Sequence, residues 1–171
     1  MLSLQGHKVN MMLLYNVGYV FFIVFYLAKV GESWKNGFDK PLDFTCPVNK
    51  VISTIRSIHE NWAEDRRWDF NCIWNKFASN ICSWSGYVNS MDQTFAFQCP
   101  GNGYIAGVHS IHENWAEDRR FKFYCCQPKG KATINRCHYT SINWYDQPIS
   151  HNVPHSFVWS GVVSNHADWA E

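Results

Sequence analysis

The sequence SIHENWAEDRR occupies residues 57–67 and returns without a single change at residues 110–120, an offset of 53 residues. A third, imperfect copy follows, in which Val153-Pro154 stands where the others have Cys-Pro and SNHADWAE at 164–171 stands for SIHENWAE. Self-similarity at a fixed period is the signature of a repeated structural unit. We therefore predict one domain of three imperfect repeats, with units at 46–72, 99–125 and 153–171 and the third unit truncated before its last strand.

The seven cysteines follow the same repeat. The equal spacing within the two units predicts the disulfides Cys46–Cys72 and Cys99–Cys125. Neighbouring residues of a strand point to opposite faces, so the cysteine after Cys125 needs a different partner, and the spacing does not choose between the two that remain. The cysteines left without an assigned partner are Cys82, Cys126 and Cys137. A disulfide framework of this kind indicates an oxidising, extracellular compartment.

The end of each unit has the period of a half-buried strand. In residues 66–72 the side chains of Trp68, Phe70 and Cys72 face inward, and residues 119–125 repeat the pattern. The chain also holds nine Trp, twelve Phe and eight Tyr, and large aromatic residues favour pleated surfaces. We predict an all-β domain in which each unit is a strand, a connecting loop through HENWAED and a returning strand.

The same alternation turns Arg66 and Arg119 inward, where each guanidinium needs a buried acceptor. The nearby glutamates are the candidate partners: Glu60, Glu64, Glu113 and Glu117. The segments between the units, residues 75–97 and 127–151, are expected to be loops or short hairpins, where binding sites are common.

Residues 1–33 are a separate element. An apolar run from Met11 to Ala28, interrupted by Asn16 and Gly18, follows a short basic start. It predicts a secretory signal peptide cleaved near residues 31–33, or an uncleaved membrane anchor. The domain then spans residues 34–171 and is secreted, with membrane association only if the leader is retained.

No motif in the chain predicts catalysis or metal binding. HENWA at 59–63 starts like a zinc-protease helix but lacks the second histidine. His109 and His112 form an HxxH pair that the first copy does not share, because Arg56 stands at the first position. With a formal net charge of +1, the chain is not a polycation suited to nucleic acid. We predict no enzyme, no cofactor and no metal.

A local cationic segment runs from Arg119 to Arg136, and the next acidic residue is Asp146. Lysines and arginines on a strand face and in the following loop suit a sulfated or carboxylated polymer, although a solvated face with no partner is also consistent with the pattern. The exposed aromatics Trp144 and Tyr145 could stack on sugar rings or belong to the core. The predicted glycan-binding or anion-binding residues are Arg120, Lys122, Lys129, Lys131 and Arg136.

The closing pattern of the first two units, DRRWDFNC at 65–72 and DRRFKFYCC at 118–126, resembles the repeated Asp-Arg-x-aromatic-x-Phe-x-Cys signature of the dermatopontin family. NGYIAG at 102–107 adds to the resemblance, which covers about residues 39–171. It implies a secreted matrix or defence protein. Vertebrate members of the family associate with proteoglycans and collagen, and invertebrate relatives include haemagglutinins.

These observations predict an extracellular matrix or cell-adhesion protein that binds proteoglycans or anionic glycans, with collagen or cell-surface receptors as further partners. The first alternative is a lectin-like agglutinin that reads sugars through aromatic loops. A hydrolase with an unrecognised site is the third. Sensitivity to salt separates the first two, because ionic contacts weaken as salt rises and aromatic stacking does not.

Overall fold

Nine β-strands and no helix make up the part of the chain that the computed structural model describes, residues 33–130, 132–134 and 136–166. The all-β prediction is confirmed. No helix in these residues could cross a membrane. The predicted leader lies outside the described residues, except for Ser33. The strands are β1 (Leu42–Thr45), β2 (Lys50–Glu60), β3 (Asp65–Trp74), β4 (Cys82–Trp84), β5 (Phe95–Gln98), β6 (Tyr104–Glu113), β7 (Asp118–Cys126), β8 (Ile149–Asn152) and β9 (Gly161–Ser164).

The two identical segments form equivalent antiparallel hairpins, β2–β3 and β6–β7. Each has a register shift at the same place, between Ile52 and Thr54 in one and between Ile105 and Gly107 in the other. The connection is shorter than the loop through HENWAED that the sequence predicts. Its first two residues and its last one lie in the strands, so only a four-residue turn at 61–64 remains, which ends on Glu64 in the left-handed region.

The short strands β1, β5 and β8 each pair with a strand that belongs to a different repeat. β1 pairs with β6 in the second unit, β5 pairs with β9 in the third, and β8 returns to pair with β2 in the first. The register is the same each time, because the first residue of the short strand faces a serine: Leu42 faces Ser110, Phe95 faces Ser164 and Ile149 faces Ser57. The pairing therefore runs in a closed cycle through the described repeats.

Three disulfides cross-link the described part of the chain. The structure joins Cys46 to Cys72 and Cys99 to Cys125, the pairs that the spacing predicts. The alternative that the sequence left open is settled by a bond between Cys82 of β4 and Cys126 of β7, and Cys137 is free and exposed. Cys125 and Cys126 belong to different clusters, as the opposite faces of a strand require.

The buried arginine is neutralised by an aspartate of another repeat, and the predicted glutamate partners are wrong. Arg119 is 4% exposed, and its Nε and Nη2 donate to Oδ1 and Oδ2 of Asp65 at 2.5 and 2.6 Å. The Nη1 of Arg66 instead donates to the main-chain oxygen of Gln147 at 3.1 Å. Burial lowers the pKa of Arg66, and the nearby carboxylates of Asp146 and Asp65 raise it in part. The inward orientation was predicted from alternation within a strand, which carries no information about which repeat packs opposite.

Candidate functional site

The outward face of β7 is the site to which the sequence points, and a half-buried asparagine, Asn89, positions its neighbours. The side-chain amide of Asn89 donates to the main-chain oxygen of Arg119 and accepts from the main-chain N–H of Phe121. This pair of bonds fixes the preceding loop along the edge of β7. Asn36 makes the same pair of bonds to β3 in the first repeat. The loop thereby places the ring of Tyr87 over the outward side chains of the strand.

Two predicted residues meet on that ring. The Cζ of Arg120 lies 4.5 Å from the ring centre of Tyr87, and the Nζ of Lys122 lies 4.3 Å from it. A cation held over an aromatic face is stabilised by the ring quadrupole, by roughly 0.5–1 kcal/mol at an exposed site. We call Tyr87, Arg120 and Lys122 the cationic face. It holds two positive charges close together on a rigid strand.

The edge of the cationic face is aromatic. His109 of β6 faces Lys122 across the hairpin, and its Nε2 lies 3.4 Å from the hydroxyl of Tyr87. Its Nδ1 lies 2.6 Å from Oδ1 of Asp43, so this carboxylate is already engaged. Trp84 packs against His109, at a centroid distance of 6.3 Å.

The first repeat has an equivalent face in which a carboxylate pairs with the cations. There Arg67 lies over the ring of Trp34, with its Cζ 5.3 Å from the centroid. Asp69 occupies the position of Lys122, 53 residues earlier, and Arg56 donates to it at 2.6 and 3.1 Å. Lys35 adds a second cation at 3.6 Å from the same carboxylate. The carboxylate of Asp69 pairs with two cations of the first face, whereas Lys122 adds to the second a cation that is unpaired among the described residues.

The remaining predicted cations are not brought to the cationic face by any contact among the described residues. The Nζ of Lys129 donates to Oδ1 of Asn49 at 2.5 Å, in the turn before β2. Arg136 has a φ of 55° and lines a separate cleft of ≈ 970 Å³ beside the exposed Cys137. Lys131 lies outside the described residues. Of the loop aromatics, Trp144 is 70% exposed and packs edge-on against Tyr145.

The 970 Å³ cleft is lined mainly by apolar side chains, Val51 and Trp159 among them. Among the lining residues is Tyr104, whose hydroxyl accepts from the main-chain N–H of Ser79 at 3.0 Å. Burial raises the pKa of Tyr104, and that hydrogen bond offsets part of the rise. A neutral phenol of this kind is a structural anchor for the segment before β4.

The two histidines of the HxxH pair point to opposite faces of β6. His109 faces outward beside Tyr87, whereas the side chain of His112 is 2% exposed and lies 3.5 Å from carboxylates of Asp39 and Asp65. Three such groups within reach of one another could hold a cation. Arg119 already binds both oxygens of Asp65, however, so the protein itself balances the charge of that carboxylate.

Sequence reasoning identified Arg120 and Lys122 but missed Tyr87 and His109. The signal for Tyr87 was present in the repeat, because an aromatic residue precedes an asparagine by two positions in both units, at Trp34 and at Tyr87. This shared spacing becomes visible when the two repeats are compared outside the identical segments 57–67 and 110–120. In both repeats the asparagine makes the same two hydrogen bonds to the neighbouring strand.

The comparisons agree on one family. The dermatopontin family profile matches residues 36–171. The chain is 40% identical to the hemagglutinin/amebocyte aggregation factor of Limulus polyphemus over 87% of each chain. It is 37% identical to the dermatopontin of Biomphalaria glabrata over 74% of this chain and 85% of that protein. It is also 34% identical to Millepora cytotoxin-1 of Millepora dichotoma over 85% of this chain and 64% of that protein.

No solved structure gives a significant match to the chain. The family profile covers far more than half of the sequence, and the first two of these relatives are 40% and 37% identical over 87% and 85% of their own length. Dermatopontins are a family of non-enzymatic matrix proteins. The chain belongs to the dermatopontin family.

Proposed function

We propose that this protein is a secreted matrix or adhesion protein that binds sulfated or carboxylated glycans, such as those of proteoglycans, through its cationic face. One observation carries the proposal: Lys122 stands where the first repeat has Asp69, the carboxylate that pairs with Arg56 and Lys35, so at that position the cations of the second face have no such partner. Among the described residues, neither Arg120 nor Lys122 has a carboxylate within ion-pair distance. Two adjacent unpaired cations fit the spaced anionic groups of such a polymer.

Chromatography on immobilised heparin and dermatan sulfate, over a salt gradient, tests this proposal. The double substitution Arg120→Ala and Lys122→Ala should make the intact secreted protein elute at lower salt, because salt screens exposed ionic contacts. If each contact contributes about 1 kcal/mol, Kd rises roughly thirtyfold.

The equivalent face of the first repeat supplies the matched control. Arg56→Ala with Arg67→Ala removes the same amount of charge from a face where a carboxylate, Asp69, already pairs with the cations. We expect the elution of this control to change little. Equal losses in both double variants would mean that retention follows net charge, and the cationic face would then not be the site. A third variant, with Lys129, Lys131 and Arg136 changed to Ala, measures the contribution of the loop.

Agglutination is the second candidate function. It is supported by the relative named hemagglutinin/amebocyte aggregation factor, at 40% identity, and by indole rings that are largely exposed at Trp62, Trp115 and Trp144. Red-cell agglutination by the secreted protein, with inhibition by free sugars, separates this function from glycosaminoglycan binding. Inhibition by a neutral monosaccharide at high salt would favour the agglutinin.

A further inference from the structure

A shallow cleft lies beside the cationic face, at the tip of the second hairpin. It has a volume of ≈ 390 Å³, and its lining consists of Ser90, Met91, Asp92, Glu113, Trp115 and Arg120. The indole of Trp115 is 75% exposed, so one wall is an aromatic surface open to solvent. The cleft combines one guanidinium, two carboxylates and a hydroxyl around that surface. Lys122, the other cation of the cationic face, does not line it.

The first repeat shows the same cleft filled by the protein's own side chain. Phe38 stands where the second repeat has Met91, 53 residues later. Its ring packs edge-on against Trp62 at 5.3 Å, and the Cζ of Arg67 lies 4.6 Å from its centroid. In the first repeat a phenyl ring thus occupies the space between the tip tryptophan and the arginine. The thinner, flexible Met91 leaves that space open in the second repeat.

The polar groups of the open cleft fit hydroxyl groups rather than an anion. The Nε of Arg120 is buried and has no hydrogen-bond acceptor among the described residues, so it is a donor in need of a partner. The carboxylates of Asp92 and Glu113 accept hydrogen bonds from hydroxyls. Inside the cleft two carboxylates outnumber the one guanidinium, which favours an uncharged ligand there, whereas Lys122 lies outside it. The indole of Trp115 offers a flat apolar surface of the kind that packs on a sugar ring.

We infer that this cleft binds an uncharged pyranose, stacked on Trp115 and held by hydrogen bonds to Arg120, Asp92 and Glu113. The site is separate from the binding of anionic glycans proposed above, although Arg120 borders both. The space that a phenylalanine ring fills in the first repeat is comparable in size to one six-membered sugar ring. The ligand is therefore a single sugar residue at the end of a chain or free in solution.

The test uses NMR spectroscopy of the intact secreted protein, with the methyl pyranosides of galactose, glucose, mannose and N-acetylglucosamine as probes. We expect at least one of them to shift the indole N–H resonance of Trp115, assigned with Trp115→Phe, with a Kd on the order of 1 mM. Met91→Phe should weaken this binding at least tenfold, because it fills the cleft as Phe38 does in the first repeat. The first repeat already accommodates phenylalanine at this position, so the variant is expected to fold.

Further variants separate this site from the cationic face. Lys122→Ala should make the protein elute from heparin at lower salt and leave sugar binding unchanged, whereas Met91→Phe should weaken sugar binding and leave elution from heparin unchanged. Phe38→Met should open the equivalent space and make the Trp62 indole respond to the same sugar. The inference is overturned if none of the four sugars moves Trp115, or if Met91→Phe binds as tightly as the natural sequence. If the natural sequence binds a sugar at Trp115 but is not retained on heparin, only the proposed function is overturned.

Discussion

Asp65 links three segments of the protein through one buried carboxylate. It accepts two hydrogen bonds from Arg119 of β7, and its Oδ2 also accepts the main-chain N–H of Asp39 at 2.8 Å. Asp118 accepts the main-chain N–H of Asp92 in the same way in the second repeat. A carboxylate with a bidentate arginine and a backbone donor has its main acceptor sites occupied, so the charge is tolerated in the interior.

Arg119→Met should destabilise the protein strongly. The substitution leaves Asp65 buried without its cation, and breaking a buried pair from one side costs about 3–5 kcal/mol. Chemical denaturation followed by tryptophan fluorescence measures the free energy of unfolding. Arg66→Met is the matched control, since this arginine contacts a main-chain oxygen and is more exposed, and its loss should be smaller.

The double variant Arg119→Met with Asp65→Asn gives a sharper test of the same pair. Because the second change removes the stranded charge, the combined loss should be smaller than the sum of the two single losses. Simple additivity would show that the arginine acts through packing alone.

At the scale of single residues, the sequence predicts to which face of a strand a side chain points better than it predicts which residue that side chain contacts. Alternation along the strand placed Arg119 inward and Arg120 and Lys122 outward, and the structure agrees. The same reasoning could not find Asp65 or Tyr87, because both reach β7 from other segments. A strand's period describes its own two faces and says nothing about what packs on them.

The short strand β1 lies unusually close to β6 at one glycine. A Cβ added at Gly107 would lie 2.5 Å from the main-chain oxygen of Phe44 and 2.8 Å from Cγ2 of Thr45. Gly161 stands at the equivalent contact between β9 and β5, with 2.7 Å to the main-chain oxygen of Phe97. In β2 the corresponding residue is Thr54, whose hydroxyl lies 3.1 Å from the side chain of Asn152.

Gly107→Ala is therefore expected to loosen the pairing of β1 with β6. Replacing glycine by alanine in an unstrained site usually stabilises by about 0.4–1 kcal/mol, but the overlap with backbone here should reverse the sign and cost about 1–3 kcal/mol. Amide hydrogen exchange of β1 and the unfolding midpoint report the effect. Gly86→Ala is the control, because no atom lies within 4 Å of its added Cβ. A stabilised Gly107→Ala variant would contradict the close contact.

At the scale of elements, the hairpin strands could be predicted from the sequence. The pairing of the short strands with other repeats could not. Residues 66–72 and 119–125 have clear period-two patterns, and both lie in strands. The strands β1, β5 and β8 have four residues each, too few for a periodic signal, and they pair with partners far away in the chain. Lys129 and Arg136 do not join Arg120 and Lys122 for a related reason. They follow the end of β7, so the alternation of that strand does not predict where their side chains lie.

On the scale of the whole molecule, closure of the strand cycle and the disulfides act together. Two disulfides span 26 residues within a repeat, and the third spans 44 residues from β4 to the end of β7. In the chain-entropy model, loops of these lengths stabilise the folded state by about 3–4 kcal/mol each. None of them joins β8 to the rest, so the third repeat is held to the first by strand pairing and by burial of Ile149.

Ile149→Ala should consequently weaken the whole domain. The side chain is 5% exposed and belongs to the same cluster as Ile105 and Phe123 of the second hairpin, and truncating such a residue to alanine costs about 2–5 kcal/mol. If the closed cycle unfolds as one unit, hydrogen exchange should accelerate equally in β2–β3 and in β6–β7, although only β2 touches β8 in the sheet. Val163→Ala, at a half-exposed position of β9, should change exchange little. Faster exchange confined to β2 and β8 would instead show that the third repeat opens locally while the two disulfide-bonded hairpins stay folded.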